Sequence, residues 1–218
     1  MSRHYQHNPK MMSDIKLNFI NESNDANNSS VVIFQKNVAT DFDELAIAWK
    51  VIKNCGTGWH HEFTYPMTMF LSAADSWGNE LVSPMVAQNG QLFHVTTDGS
   101  GSDLSYSGPS PSRKEVQMRN DLNQGSIDAR IYKDGKLLAL KTGVSPGQKA
   151  VFQFKPSIWI GVVSQIEEGQ VMNSAILSDV NTEIGLLSVA SADIVMTGGG
   201  TGPNATPFKF TLDNVQYV

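Results

Sequence analysis

Residues 127–141 read IDARIYKDGKLLALK, and this stretch indicates the fold class most clearly. Apolar and polar side chains alternate from Ile127 to Tyr132, which places one set on the buried face of a strand. Asp134-Gly135 follows, a pair that tolerates the positive φ angles of a type I′ turn. Because Lys136 completes this turn and residues 137–141 form a return strand, the sequence predicts an antiparallel β-hairpin.

Short runs of strand length recur on both sides of this hairpin, separated by segments rich in Gly, Pro, Asn and Ser. They are residues 15–21, 31–35, 91–96, 150–154, 158–163 and 208–212. Strands that follow each other at roughly 8–15 residues are typical of sandwiches and barrels. The sequence therefore predicts an all-β, antiparallel β-sandwich with few or no helices. Residues 45–52 (LAIAWKVI) suit a strand, with a helix as the alternative.

Composition divides the chain into a short arm and a long β region. Residues 1–14 are polar and lack the apolar core of a secretory signal, which predicts a flexible N-terminal arm. Residues 15–218 are predicted to form the sandwich domain. The Pro- and Ser-rich segment 107–114 suggests a subdivision, so two packed sandwich-like halves remain an alternative. A weak echo between residues 82–84 and 144–146, both Val-Ser-Pro, leaves a duplicated half-domain open.

Charge and cysteine content exclude several classes of protein. The 218 residues carry a net charge of −5, and 17 % of them are charged. An acidic chain without a basic stripe binds phosphate backbones poorly, so nucleic acid is not an expected partner. The single cysteine, Cys55, excludes an intramolecular disulfide and cysteine-based zinc sites. No apolar run has the length of a membrane helix. The default expectation is a cytoplasmic protein, with export by a non-classical route as the alternative.

Candidate metal ligands are few and scattered. His60 and His61 are neighbours, but neighbouring residues of a strand point to opposite faces and cannot easily chelate one ion. His94 is remote in sequence. Asp98 and Asp103 flank a flexible Gly-Ser loop whose oxygens suit Ca²⁺, although the spacing does not match an EF-hand. These five residues are weak candidates, and the sequence predicts neither a metal site nor a cofactor.

Reaction motifs are absent from the sequence. There is no Gly-x-Ser-x-Gly elbow for a nucleophilic serine. The glycine-rich residues 196–203 are followed by Pro207, where a phosphate-binding loop needs a helix. The protein is therefore predicted not to be an enzyme. The least favoured hypothesis is a hydrolase or metal enzyme that uses His60, His61, Glu62 and His94.

Aromatic side chains provide the most suggestive binding signal. Trp59 and Trp77 lie in polar, glycine-flanked segments, and Tyr65 lies close to them in sequence. Rings with an apolar body and a polar tip bind sugars and membrane interfaces. These three residues are the candidate ligand contacts, with a role in the core or in anchoring a loop as the alternative.

Two functional hypotheses follow from these patterns. The first is a non-enzymatic structural protein that assembles with itself into homo-oligomers, because sheet edges and a weakly charged surface favour self-contact. The second is a module that binds carbohydrate or a membrane surface, of the lectin or β-sandwich toxin kind, through the loop aromatics. The first hypothesis is slightly preferred on sequence grounds.

Overall fold

The computed structural model describes residues 13–39 and 46–218. Within them the protein is almost entirely β-structure, which confirms the predicted fold class. The one α-helix described, α1, is a short segment at Ser174–Asp179, and no described helix is long and apolar enough to cross a membrane. Most of the predicted N-terminal arm, residues 1–12, lies outside the described part of the chain.

The described strands follow each other along the whole chain. Their bounds are β1 Ile15–Asn21, β2 Ser30–Phe34, β3 Lys50–Ile52, β4 His60–Tyr65, β5 Met69–Asp75, β6 Glu80–Ala87, β7 Gln91–Asp98, β8 Gly101–Pro109, β9 Val116–Asn120, β10 Ile127–Lys133, β11 Lys136–Val144, β12 Lys149–Phe152, β13 Ser157–Val163, β14 Thr182–Gly185, β15 Val189–Gly199 and β16 Thr206–Tyr217.

These strands form four sheets of four strands each. Sheet 1 has the order β16-β15-β1-β4, sheet 2 is β14-β13-β2-β3, sheet 3 is β11-β10-β5-β6, and sheet 4 is β12-β9-β7-β8. Close contacts between strands of different sheets join sheet 1 to sheet 2 and sheet 3 to sheet 4. The four sheets therefore group into two sandwich-like pairs, called sandwiches below, whose buried apolar side chains form one continuous core. The first is built from β1–β4 and β13–β16, and the second from β5–β12.

The two sandwiches have the same pattern of strand pairing: each pair in one sandwich corresponds to a pair in the other whose strand numbers differ by eight. The parallel pair β1–β15 corresponds to the parallel pair β9–β7, and the antiparallel pair β1–β4 corresponds to β9–β12. The antiparallel pairs β2–β13, β2–β3, β13–β14 and β15–β16 correspond to β10–β5, β10–β11, β5–β6 and β7–β8. Every pairing between the described strands is reproduced, with the same direction, when each strand number is shifted by eight, counting on from β16 to β1.

Individual hydrogen bonds repeat as well, around Asn21 and Asn120. Asn21 N–H donates to the Trp59 carbonyl and its own carbonyl accepts from Gly58 N–H, at 3.0 and 2.6 Å. Asn120 makes the same two bonds with Gln148 and Gly147, at 2.9 and 2.7 Å. Both glycines have positive φ, 82° and 81°, which glycine adopts without a steric penalty. The two sandwiches therefore share local geometry as well as topology.

The two sandwiches meet at a buried polar centre. Tyr65 Oη donates to Gln35 Oε1 at 2.9 Å and accepts from Lys133 Nζ at 2.5 Å. Lys133 is only 4 % exposed, and its carbonyl accepts from Trp49 Nε1 at 3.0 Å. Gln35 directly follows β2 and Lys133 ends β10, and these two strands occupy equivalent places in the two sandwiches. One tyrosine hydroxyl thus joins the ends of two equivalent strands across the junction.

Several local predictions need correction. In the segment predicted as a strand at residues 45–52, only Lys50–Ile52 forms β3, with isolated bridges at Ala46 and Ile47. Residues 46–52 contain no helical turn, so the helical alternative does not apply to them. The loop expected between Asp98 and Asp103 is a tight turn, because β7 ends at Asp98 and β8 begins at Gly101.

Residues 107–114 contain the end of β8 and most of its link to β9. Both strands belong to sheet 4, so no sandwich boundary falls there. The segment instead separates the eight strands of the first repeat from those of the second.

Candidate functional site

A polar groove of about 600 Å³ crosses the outer face of sheet 1. Its polar lining comes from four neighbouring strands: Lys16 and Asn18 on β1, Glu62 and Thr64 on β4, Ser191 and Asp193 on β15, and Asn214 on β16. Strand alternation explains this face, because Ile15, Leu17 and Phe19 point into the core while the residues between them point outward.

Asp193 lies at the centre of the groove and is held by two amides. Asn18 Nδ2 donates to Asp193 Oδ1 at 3.0 Å, and Asn214 Nδ2 donates to Asp193 Oδ2 at 2.6 Å. Asn214 has a positive φ of 50°, a conformation that asparagine tolerates better than most residues. The carboxylate is therefore fixed in place while its remaining lone pairs are free to accept further hydrogen bonds.

Asn18 has an unsatisfied acceptor. Its Oδ1 atom is shielded from solvent and finds no donor among the described residues. Exchanging the amide nitrogen and oxygen would bring two acceptors together at Asp193, so the orientation is determined by that bond. Glu62, the cross-strand neighbour of Asn18 on the opposite side from Asp193, supplies another acceptor. An unsatisfied buried acceptor costs about 1–3 kcal/mol, so this asparagine contributes less to stability than a fully hydrogen-bonded one would.

The equivalent face of sheet 4 provides an internal comparison. Gln117 occupies the position of Asn18, because Asn120 corresponds to Asn21. Its Oε1 accepts from Lys149 Nζ at 2.9 Å, and its Nε2 donates to Glu115 Oε2 at 2.6 Å. The amide of the second sandwich is thus satisfied on both sides. Of these two equivalent amides, only Asn18 keeps an oxygen without a donor among the described residues.

The three aromatic candidates lie in different places. Trp59 is 67 % exposed and immediately precedes β4, about 10 Å along the strand direction from Glu62 of the groove. Trp77 is 88 % exposed in the turn between β5 and β6 of the other sandwich. Tyr65 is 4 % exposed at the sandwich junction, so it is a core residue and not a loop contact. The structure brings only Trp59 near the groove.

Tyr65 also lines a second cavity, which is mainly apolar and has a volume of about 360 Å³. Ile15, Met67, Leu186 and Val189 contribute to its wall. Tyr65 therefore contributes both to this wall and, through its hydroxyl, to the buried polar centre.

The weak metal candidates are not assembled into a site. His60 and His61 begin β4 in sheet 1, whereas His94, Asp98 and Asp103 belong to the β7–β8 hairpin of sheet 4. Among the residues that the structure describes, no group of three His, Cys, Asp or Glu side chains could hold a metal ion.

Other interactions account for the environments of three of these candidates. His94 Nδ1 lies 2.5 Å from Asp121 Oδ2, and Arg119 Nε lies 2.8 Å from Asp121 Oδ1. Burial, together with the charges of Lys50 and Lys136, lowers the pKa of His61. Hydrogen bonds from the backbone and side chain of Ser100 lower the pKa of Asp98, which is a property of the turn.

Sequence reasoning missed the groove residues. The alternation at residues 15–19 indicated that Lys16 and Asn18 face outward, but Asp193 lies 175 positions further along the chain. Because nothing in either segment specifies that β1 and β15 pair in parallel, the cluster could not be assembled from sequence.

Comparison of the chain with protein-family models, with curated proteins and with solved structures found no match.

Proposed function

We propose that the protein binds a hydroxyl-rich ligand, a carbohydrate, in the groove of sheet 1. The observation that carries this proposal is the Asp193 carboxylate, which the amides of Asn18 and Asn214 hold in place within the groove. Sugar hydroxyls donate and accept at once, so they match a groove that combines carboxylate, amide, hydroxyl and ammonium groups. This role requires no reaction chemistry, in keeping with a non-enzymatic protein.

The shape and flanks of the groove support the same class of ligand. Trp59 offers an exposed ring beside the edge strand β4, against which the apolar face of a sugar can pack. The mixture of polar groups with this aromatic face distinguishes the surface from the ion-paired face of sheet 4.

Glycan binding should depend on Asp193 and Asn18. Wild-type protein on an array of neutral and acidic oligosaccharides is expected to select a subset, and Asp193→Ala and Asn18→Ala should each weaken that binding about 10- to 100-fold. This corresponds to losing a hydrogen bond to a charged or buried group. Arg119→Ala, on the equivalent face of sheet 4, is the matched control and should bind normally. Wild-type protein that binds no glycan on the array would contradict the proposal.

Variants of the two exposed tryptophans distinguish binding in this groove from binding through exposed aromatic rings in general. Trp59→Ala is expected to reduce binding to the same glycans, whereas Trp77→Ala should leave it unchanged because Trp77 belongs to the other sandwich. Equal losses in the two variants, or binding to liposomes without glycans, would favour a membrane-facing module instead.

Self-assembly is the second candidate function, and the open sheet edges favour it. β16 is 12 residues long at the edge of sheet 1, and Lys209 and Asp213 are its charged residues. Edges are normally blunted by charges, prolines or covering segments, and a weakly charged edge can accept a strand from a neighbour.

Light scattering across a concentration series measures this assembly. The wild-type mass is expected to rise above that of one chain, and Thr211→Lys, which adds a charge to β16, should lower it. Asn123→Lys, an exposed position outside the strands, is the control. A wild-type mass that stays at one chain over the whole series would rule the candidate out.

A further inference from the structure

The repeated pairings mean that neither half of the chain contains a complete sandwich. The first repeat, β1–β8, contributes β1–β4 to the first sandwich and β5–β8 to the second. The second repeat, β9–β16, contributes β13–β16 to the first sandwich and β9–β12 to the second. Each repeat therefore completes its two half-sandwiches only with strands of the other repeat.

The link between the repeats is short and lies at one end of sheet 4. Residues 110–115 connect β8 to β9, which flank β7 on opposite sides. Ser110 N–H donates to the Gly90 carbonyl at 2.8 Å, and Gly90 N–H donates to the Glu115 carbonyl at 2.7 Å. The link thus passes around the start of β7 and is attached there at both ends.

We infer that the chain is a tandem duplication whose repeats recognise each other by exchanging strands, so that the partner fitting each repeat is a second copy of this chain. Two chains would pair when the first repeat of one completes its sandwiches with the second repeat of the other. The contacts in such a dimer are those already present within one chain. This inference deepens the self-assembly candidate and is independent of the groove.

The free energies of the closed monomer and the exchanged dimer differ mainly at residues 110–115. All strand pairings and core contacts between repeats are retained, so the linker and the effective concentration that it imposes decide between the two forms. A linker that spans the gap favours closure within one chain. If the linker cannot span the gap between β8 and β9, the sandwiches can be completed only by pairing between two chains.

The sheet geometry shows how to shorten this linker. β8 and β9 lie two strand spacings apart, roughly 10 Å, with β7 between them. Removing residues 111–114 leaves two residues between Pro109 and Val116, a reach of roughly 11 Å when fully extended. Because the path must also go around Gly90, the shortened link cannot close within one chain.

Deleting residues 111–114 is therefore expected to convert the protein into a dimer of about twice the mass of one chain, or into larger closed rings. Size-exclusion chromatography with light scattering measures the mass, and circular dichroism should show unchanged β content. The control replaces residues 111–114 with an equal length of Gly and Ser and should behave as wild type. A folded monomer of the deletion variant would overturn the inference.

A second experiment uses the full-length linker and does not depend on folding of the deletion variant. A protease site replaces residues 111–114, and the folded protein is cut there. The two fragments are expected to stay together as one native species and to separate only in denaturant, because each lacks half of both sandwiches. Two fragments that separate without denaturant, each folded, would show that the repeats are independent.

The two modes of association remain distinguishable. Adding Thr211→Lys to the deletion variant should leave the exchanged dimer intact, because that contact does not use the outer edge of β16. Loss of the dimer on adding Thr211→Lys would assign it to edge pairing and contradict strand exchange.

Discussion

Replacing Lys133 with methionine is expected to raise the free energy of unfolding at pH 7 by about 2–4 kcal/mol. Burial at the sandwich junction lowers the pKa of Lys133 from 10.5 to about 7, so folding works against its protonation. This lowering of the pKa corresponds to a destabilisation of the folded wild-type protein on the order of 4 kcal/mol at pH 7. The variant avoids this cost but loses the hydrogen bond to Tyr65, which offsets about 1 kcal/mol of the gain. Tyr65 keeps Gln35 as its acceptor, and methionine fills a similar volume.

The free energy of unfolding of the wild-type protein should depend on pH because Lys133 has different pKa values in the folded and unfolded states. Between pH 7 and 10.5 the unfolded chain holds the Lys133 proton that the folded protein releases, so wild-type stability rises with pH in this interval. The cost of burying the charge is fully present below pH 7. From pH 7 to pH 9.5 the advantage of Lys133→Met over wild type should shrink by about 3 kcal/mol. Burial raises the pKa of Tyr65, which stays neutral in this range.

Denaturant unfolding at pH 7 and at pH 9.5 measures both effects. Lys209→Met, on the exposed edge strand β16, is the control and should change neither the stability nor its pH dependence. If wild type and Lys133→Met showed parallel stability profiles across this range, Lys133 would not be buried as a destabilised cation. The measurement thus reports directly on the junction between the sandwiches.

Asn120→Ala and Asn21→Ala are each expected to lower the free energy of unfolding by about 3–5 kcal/mol. Asn120 is fully buried, and its Nδ2 donates to the carbonyls of Gly125 and Val144 at 3.0 and 2.8 Å. Its Oδ1 accepts from Leu122 N–H at 3.0 Å. Removing the side chain leaves these buried backbone groups without partners, and each costs about 1–3 kcal/mol.

Asn21 performs the same task in the other sandwich. Its Nδ2 donates to the Cys55 carbonyl at 2.7 Å, and its Oδ1 accepts from Ser23 N–H at 2.9 Å. The two losses should be similar and should add within about 0.5 kcal/mol, since the sites share no partner. Thermal and urea unfolding check this, with exposed Asn123→Ala as a neutral control. A loss below 1 kcal/mol at either site would show that the repeated bonds do not hold the turns.

Local sequence patterns were sufficient for the fold class and for several elements. In the hairpin at residues 127–144, Asp134 and Gly135 adopt positive φ of 52° and 67°, as the Asp-Gly pair predicted. The polar, glycine-flanked surroundings of Trp59 and Trp77 matched their high exposure, and the apolar run around Trp49 matched its burial at 1 %. Each of these properties depends on a few consecutive residues, which is why a single sequence contains them.

By itself, the sequence determined that the chain is all-β and, in strands with clear alternation such as β1 and β10, which side chains face the core. The tertiary structure alone decided how the strands pair, and therefore the two sandwiches, the parallel pairs β1–β15 and β7–β9, and the groove. Period-two alternation reports which face of a strand is buried, but it says nothing about which strand lies beside it. That choice is made by packing between distant segments, which brings Asn18 to Asp193 and Lys133 to Tyr65.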